Sequence, residues 1–125
     1  LSDFVTKKMI EFAASPTFDL IKEKEIFTKS FDFISRTIGE DAFKRYNVDK
    51  RVFQGKFLLS MFECDGIGIG KNMSLNDLTF SSELVRVKAS ELWSNDDFQA
   101  KTGSGVSVSS RLPVLIPMGE SLFKQ

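Results

Sequence analysis

The chain is 125 residues long, with 17 basic side chains against 17 acidic ones, no histidine and one cysteine, Cys64. That balance excludes a strong field steering the whole molecule toward nucleic acid or an anionic membrane, so any basic site has to be local. Without histidine, and with a lone thiol, the usual imidazole proton shuttles, cysteine pairs and soft-metal clusters cannot be assembled within the chain.

A chain of this length fits one domain, residues 1–125, and can bury roughly two-thirds of its unfolded surface without disulfides or a metal. Its core is expected to rest on phenylalanine, of which there are 13, so packing dominates over polar recognition. No apolar run approaches the roughly 18 residues of a spanning helix, and LSDFVTKKMIEF lacks the order of a signal peptide. A cytoplasmic location with no membrane partner is the expectation, and Cys64 fits a reducing compartment. A start at Leu1 is read as a piece cut from a larger protein.

Residues Ser2 to Ala14 place Phe4, Val5, Met9 and Phe12 on one helical face, and Ser15-Pro16 ends that helix. The same pair is expected to open the next helix, with Ser15 as N-cap and Pro16 in the first turn. Leu20, Phe27, Phe31, Ile34 and Ile38 then form one apolar stripe, and Gly39 closes the helix. A short helix is expected from Glu40 to about Tyr46, with Asn47 as a left-handed cap. Phe53, Phe57, Leu58, Met61 and Phe62 recur at helical spacing, and Gly66, Gly68 and Gly70 are expected to stop that helix in a flexible loop.

Leu84, Val85, Ala89, Leu92 and Trp93 mark a further amphipathic helix that starts at Ser81 or Ser82. Ser94 with Asp97 reads as a capping box for a short helix around Phe98 that Gly103 ends. The segment Gly105 to Ser110 alternates like a strand but has no evident partner, and is read as the opening of a last helix. Pro113 and Pro117 are expected to kink or restart that helix, while Leu112, Leu115, Ile116, Leu122 and Phe123 pack inward. The fold class is therefore all-α, a single compact bundle of about five to seven helices, its core including Phe27, Phe31, Phe57, Leu58, Phe62 and Leu92.

Gly66-Ile-Gly-Ile-Gly-Lys-Asn invites comparison with a phosphate loop, but Asp65 stands where the first glycine is needed and Asn72 where a hydroxyl is needed. The carboxylates Glu63, Asp65, Asp77, Asp96 and Asp97 have no recognisable metal spacing, and Cys64 reads as an inert core thiol. No catalytic residue, cofactor site or metal site is assigned. The one local basic cluster is Lys44, Arg45, Lys50, Arg51 and Lys56, interleaved with Tyr46 and Phe53. Cations around a turn beside aromatic rings are a candidate surface for nucleic-acid backbone. Against it stands a set of solvated charges paired with Glu40, Asp41 and Asp49.

FKRYN (Phe43 to Asn47) followed by RVFQGKFLLSMFE (Arg51 to Glu63) resembles the C-terminal helical region of GmrSD-like proteins, whose N-terminal part is a ParB-like nuclease domain. Downstream, a helix up to Leu92, then Asn95-Asp96-Asp97-Phe98, Thr102-Gly103-Ser104 and Arg111-Leu112, is similar to the family's tail. The resemblance implies a bacterial restriction or phage-defence protein that cuts foreign or modified DNA with nucleotide assistance. The family's Asp-Gly-Gln-Gln-Arg nucleotide motif is absent, and a His-Asn-His nuclease signature needs histidine. The expectation is a non-catalytic accessory region that supports an N-terminal catalytic domain of the same parent, its basic cluster holding DNA backbone. The alternative is a helical interaction or oligomerisation module with no nucleic-acid contact.

Overall fold

The computed structural model describes residues 2–125 and is mainly α-helical, in agreement with the expected class. In chain order it consists of α1 (Ser2–Ala14), α2 (Leu20–Thr37), a 3-10 turn (Gly39–Asp41), β1 (Arg45–Asn47), β2 (Val52–Gln54), α3 (Leu59–Met61), a π-helical segment (Phe62–Gly66), α4 (Ile67–Met73), α5 (Ser82–Glu91), a 3-10 turn (Leu92–Ser94), α6 (Asp96–Thr102) and α7 (Val108–Leu122). No helix among the described residues is long and apolar enough to cross a membrane.

Local chemistry explains most of the boundaries. Helix α2 starts later than expected because Asp19, not Ser15, caps it, its carboxylate accepting from the Lys22 amide at 2.9 Å. Gly39, at φ +60°, ends α2 in the left-handed turn that glycine makes without strain. Ser81 caps α5, and Asn95 rather than Ser94 caps α6. Ser107 caps α7, which leaves Gly105 in a turn at φ +85° and settles Val108 to Ser110 as helix. Helix α7 runs through both prolines. Pro113 and Pro117 lie on its exposed face, where water can take up carbonyls left without an amide partner.

Two expectations are overturned. The segment read as a short helix and the start of a longer one is a β-hairpin, β1 pairing antiparallel with β2 through Arg45–Gln54, Tyr46–Phe53 and Asn47–Val52. Phe53 therefore meets Tyr46 at a centroid distance of 4.9 Å, and Phe57 falls in the loop ahead of α3, where it is 59% exposed. Phe27 and Phe31 are exposed as well, Leu58 and Phe62 are partly buried, and Leu92 is buried. The second correction concerns the glycines. Gly66, Gly68 and Gly70 do not stop a helix but lie inside the run from Leu59 to Met73.

The reason is a helix crossing. Arg111, Leu115, Gly119 and Phe123 recur every four residues on the inner stripe of α7, and this stripe packs against the π segment and α4. A Cβ on Gly119 would lie 1.7 Å from the Cys64 carbonyl oxygen, and one on Gly68 would lie 2.4 Å from the Gly119 carbonyl carbon. Asn72 extends the seam, its amide donating to the carbonyls of Gly68 and Glu120 at 2.9 Å each, and Lys71 pairs with Glu120 at 2.7 Å. Around this seam Phe33, Met61, Ile69, Val85, Phe98, Leu115 and Phe123 form the sealed centre of the core.

Gly119→Ala should destabilise the chain by at least about 3 kcal/mol in urea unfolding, because the new methyl meets backbone and the helices must separate. Gly70→Ala, whose nearest foreign neighbour is the Ser30 hydroxyl at 3.9 Å, should instead stabilise it by about 0.5–1 kcal/mol.

Candidate functional site

The hairpin carries the basic cluster, and its geometry divides the five cations. Lys44 pairs with Asp41 at 3.7 Å, and the Arg45 guanidinium lies 5.1 Å from the centroid of the Trp93 ring. Lys50, Arg51 and Lys56 are exposed and make no ion pair among the described residues. Asn47 shapes the turn between the strands by accepting from the Lys50 amide at 2.9 Å, and Arg51 closes it at φ +55°.

Arg51 stands at the rim of a groove of about 420 Å³ between the hairpin and α5. Asp41 and Glu83 line the same groove, and Arg86 there is engaged by Asp41 at 2.6 Å and stacks over Phe53 at 5.4 Å. Phosphate approaching Arg51 thus meets carboxylates. With Lys44 paired to Asp41 and Arg45 over Trp93, Lys50, Arg51 and Lys56 are the cations of the cluster left without a partner among the described residues.

A second polar feature lies inside the molecule. The π segment places Glu63, Cys64 and Asp65, three successive residues, in the buried interior. Glu63 receives two hydrogen bonds from Arg111 of α7, from Nε at 2.5 Å and Nη2 at 2.7 Å, while Nη1 donates to the Val106 carbonyl at 3.0 Å. The pairing raises the Arg111 pKa, so the guanidinium stays charged. Asp65 has no such partner. Its Oδ1 is sealed and unbonded beside a cavity of about 10 Å³ walled by Ile34, Ile38, Ala42, Phe43, Ile69, Val85 and Phe123, room for about one water.

Burial pushes the Asp65 carboxyl up to about 8, and burial together with the neighbouring Asp65 charge pushes the Cys64 thiol up, which leaves it inert. Sequence reasoning found no metal spacing in Glu63 and Asp65 and gave them no buried role. The available signal was their position inside an apolar helical run, FLLSMFECDGIGI, where a carboxylate has to be paired or neutral. Among the described residues no group of three or more His, Cys, Asp or Glu side chains is placed to hold a metal ion.

The third feature is apolar. Leu20, Phe27, Phe31, Ile34 and Ile38 share one stripe of α2, but only its end is covered: Ile34 and Ile38 are buried, whereas Leu20, Phe27 and Phe31 are 70%, 63% and 38% exposed. Beside the bare part runs a groove of about 540 Å³ between α2 and the Phe62 to Ser74 stretch, floored by Ile26, Phe27, Phe31, Phe62 and Ile67. Helix α1 buries none of its residues, and Phe4, Val5, Met9, Ile10 and Phe12 all face solvent.

Asp65 gives a sharp pH signature, since a chain without histidine has few other groups titrating between pH 5 and 8. Its carboxyl holds its proton in the folded state to about pH 8, while the unfolded chain releases it near the ordinary value of about 3.9. The folded state therefore binds more protons across that window, and stability falls as pH rises through it, levelling off above the folded value. Urea unfolding should lose about 3 kcal/mol between pH 5 and pH 8, and Asp65→Asn should remove most of that slope.

Arg111→Ala should cost about 3–5 kcal/mol in the same assay, because it leaves the Glu63 carboxylate buried without its cation.

Comparison of the chain with protein-family models, with curated proteins and with solved structures gives no match.

Proposed function

We propose that this chain is a non-catalytic helical docking module, the accessory part of a GmrSD-like DNA-targeting protein, and that it works through protein contact. One observation carries the docking role. The apolar stripe of α2 continues beyond the edge of the core as Leu20, Phe27 and Phe31, next to an open apolar groove and an unsupported amphipathic helix. Contiguous exposed apolar surface on this scale marks a binding site.

Two further points support the accessory reading. Glu63 and Arg111, which belong to the two stretches resembling the GmrSD-like tail, are joined as a buried ion pair, so those stretches act together as scaffold. The buried carboxyls are committed or sealed away from substrate, Glu63 to Arg111 and Asp65 behind apolar walls. DNA contact is the weaker role, because it is left to Lys50, Arg51 and Lys56 with Asp49 in the same turn and Glu83 across the groove. The coding sequence ahead of Leu1 tests the family assignment, and a ParB-like domain there is expected.

With magnesium or manganese, the purified chain should leave DNA and nucleoside triphosphates intact and should show no saturable binding to labelled duplex at low salt. It should bind an apolar reporter dye while still unfolding cooperatively, which separates a docking face from a loosened core. Saturable duplex binding whose salt dependence drops by roughly one unit with Arg51→Ala would return the role to nucleic acid. Turnover abolished by changing one of the chain's own carboxylates would end the non-catalytic assignment.

A further inference from the structure

We infer that the partner on this face is a second copy of the chain, and that two copies exchange their N-terminal helices, α1 of each lying in the groove between α2 and α4 of the other. The inference rests on the docking role proposed above and names its occupant. A helix of 13 residues with nothing buried is marginal on its own in water, so α1 needs an apolar floor to persist. Val5, Met9 and Phe12 fall at i, i+4 and i+7 on one stripe of α1, the form of a helix that lies in a groove. The groove floored by Phe27, Phe31, Phe62 and Ile67 is a floor without a helix.

The link between α1 and α2 keeps the two apart within one chain. Phe12 stacks on Phe18 at 5.2 Å, the Phe18 amide donates to the Ser15 carbonyl at 3.4 Å, and Pro16 stiffens the turn between them. A short, stiff link with an extended arm is the arrangement that favours exchange between copies. The charges left over are one of each sign, since Glu23 at the groove rim and Lys7 beside the stripe of α1 make no ion pair among the described residues, whereas Glu120 holds Lys71 and Lys8 holds Glu11.

Size decides between a stable pair and a fleeting contact. Phe4, Val5, Met9, Ile10 and Phe12 of α1 and Leu20, Ile21, Phe27 and Phe31 of α2 are 38–83% exposed, which leaves apolar surface comparable to the about 800 Å² per partner that a standard stable interface buries. Reciprocal exchange, the arm of each copy in the groove of the other, is the two-fold arrangement that closes with no arm or groove left over.

The test is the mass of the intact chain in solution, by sedimentation equilibrium across a range of concentrations. The expected species has twice the 14.1 kDa chain mass. Met9→Asp spoils the arm and Phe27→Asp spoils the groove, each at a side chain more than 60% exposed, so the thermal midpoint of the core should be kept. Each variant alone should dissociate at least about tenfold more readily. Mixed in equal amounts they should pair again more tightly than either alone, because the intact arm of one fits the intact groove of the other. A chain that stays monomeric at high concentration overturns the exchange, and if it still binds the apolar dye the docking role stands with a different occupant. A dimer indifferent to both substitutions, or a mixture no tighter than the separate variants, overturns it too.

Discussion

The close approach of α7 to the Cys64–Gly68 stretch is the constraint on which the rest of the fold depends. With the Gly119 Cβ position occupied by the Cys64 carbonyl oxygen, the two helices touch backbone to backbone, a contact only glycine permits. That proximity lets the Arg111 guanidinium, two turns earlier on the same stripe, reach Glu63, and lets Asn72 reach the Glu120 carbonyl. The π segment belongs to the same arrangement: the Ile67 amide reaches back to the Phe62 carbonyl, and the widened turn carries Glu63, Cys64 and Asp65 inward together. A largely buried ion pair and a buried carboxyl without a partner are costly, and the packing around the π segment holds both.

What could be read in advance, and what could not, follows from where the deciding information sits. The α5 boundary was legible because Ser81 and the apolar spacing of Val85 and Ala89 are local facts. So was the end of α2 at Gly39. The hairpin was not, since its turn contains no glycine and depends on an Asn47 side-chain hydrogen bond and a left-handed Arg51, while three-residue strands carry too little alternation to register. The glycines of α4 misled for a related reason. Gly68 is explained by Gly119, which lies far along the chain, so no window around residues 66–70 contains the cause.

The site separates along the same line. Lys44, Arg45, Lys50, Arg51 and Lys56 lie in and beside the hairpin, where Asp41 pairs with Lys44 and Trp93 stacks with Arg45, the latter a contact that sequence proximity does not display. The apolar surface was legible in composition and misassigned in place. Thirteen phenylalanines suggested a large aromatic core, but only Phe33, Phe98 and Phe123 are fully sealed. Amphipathic periodicity states that a helix has a face to bury and does not state against what.

That gap leads from the fold to its use. A stripe that begins bare at Leu20 and ends buried at Ile38 is one continuous helical face, and its covered half is held by the same core that the α4–α7 crossing organises. The uncovered half is therefore presented on a rigid floor rather than on a loop, which lowers the ordering cost of any helix that docks there. A rigid apolar groove beside a helix that buries none of its residues is the arrangement on which the proposed docking role rests.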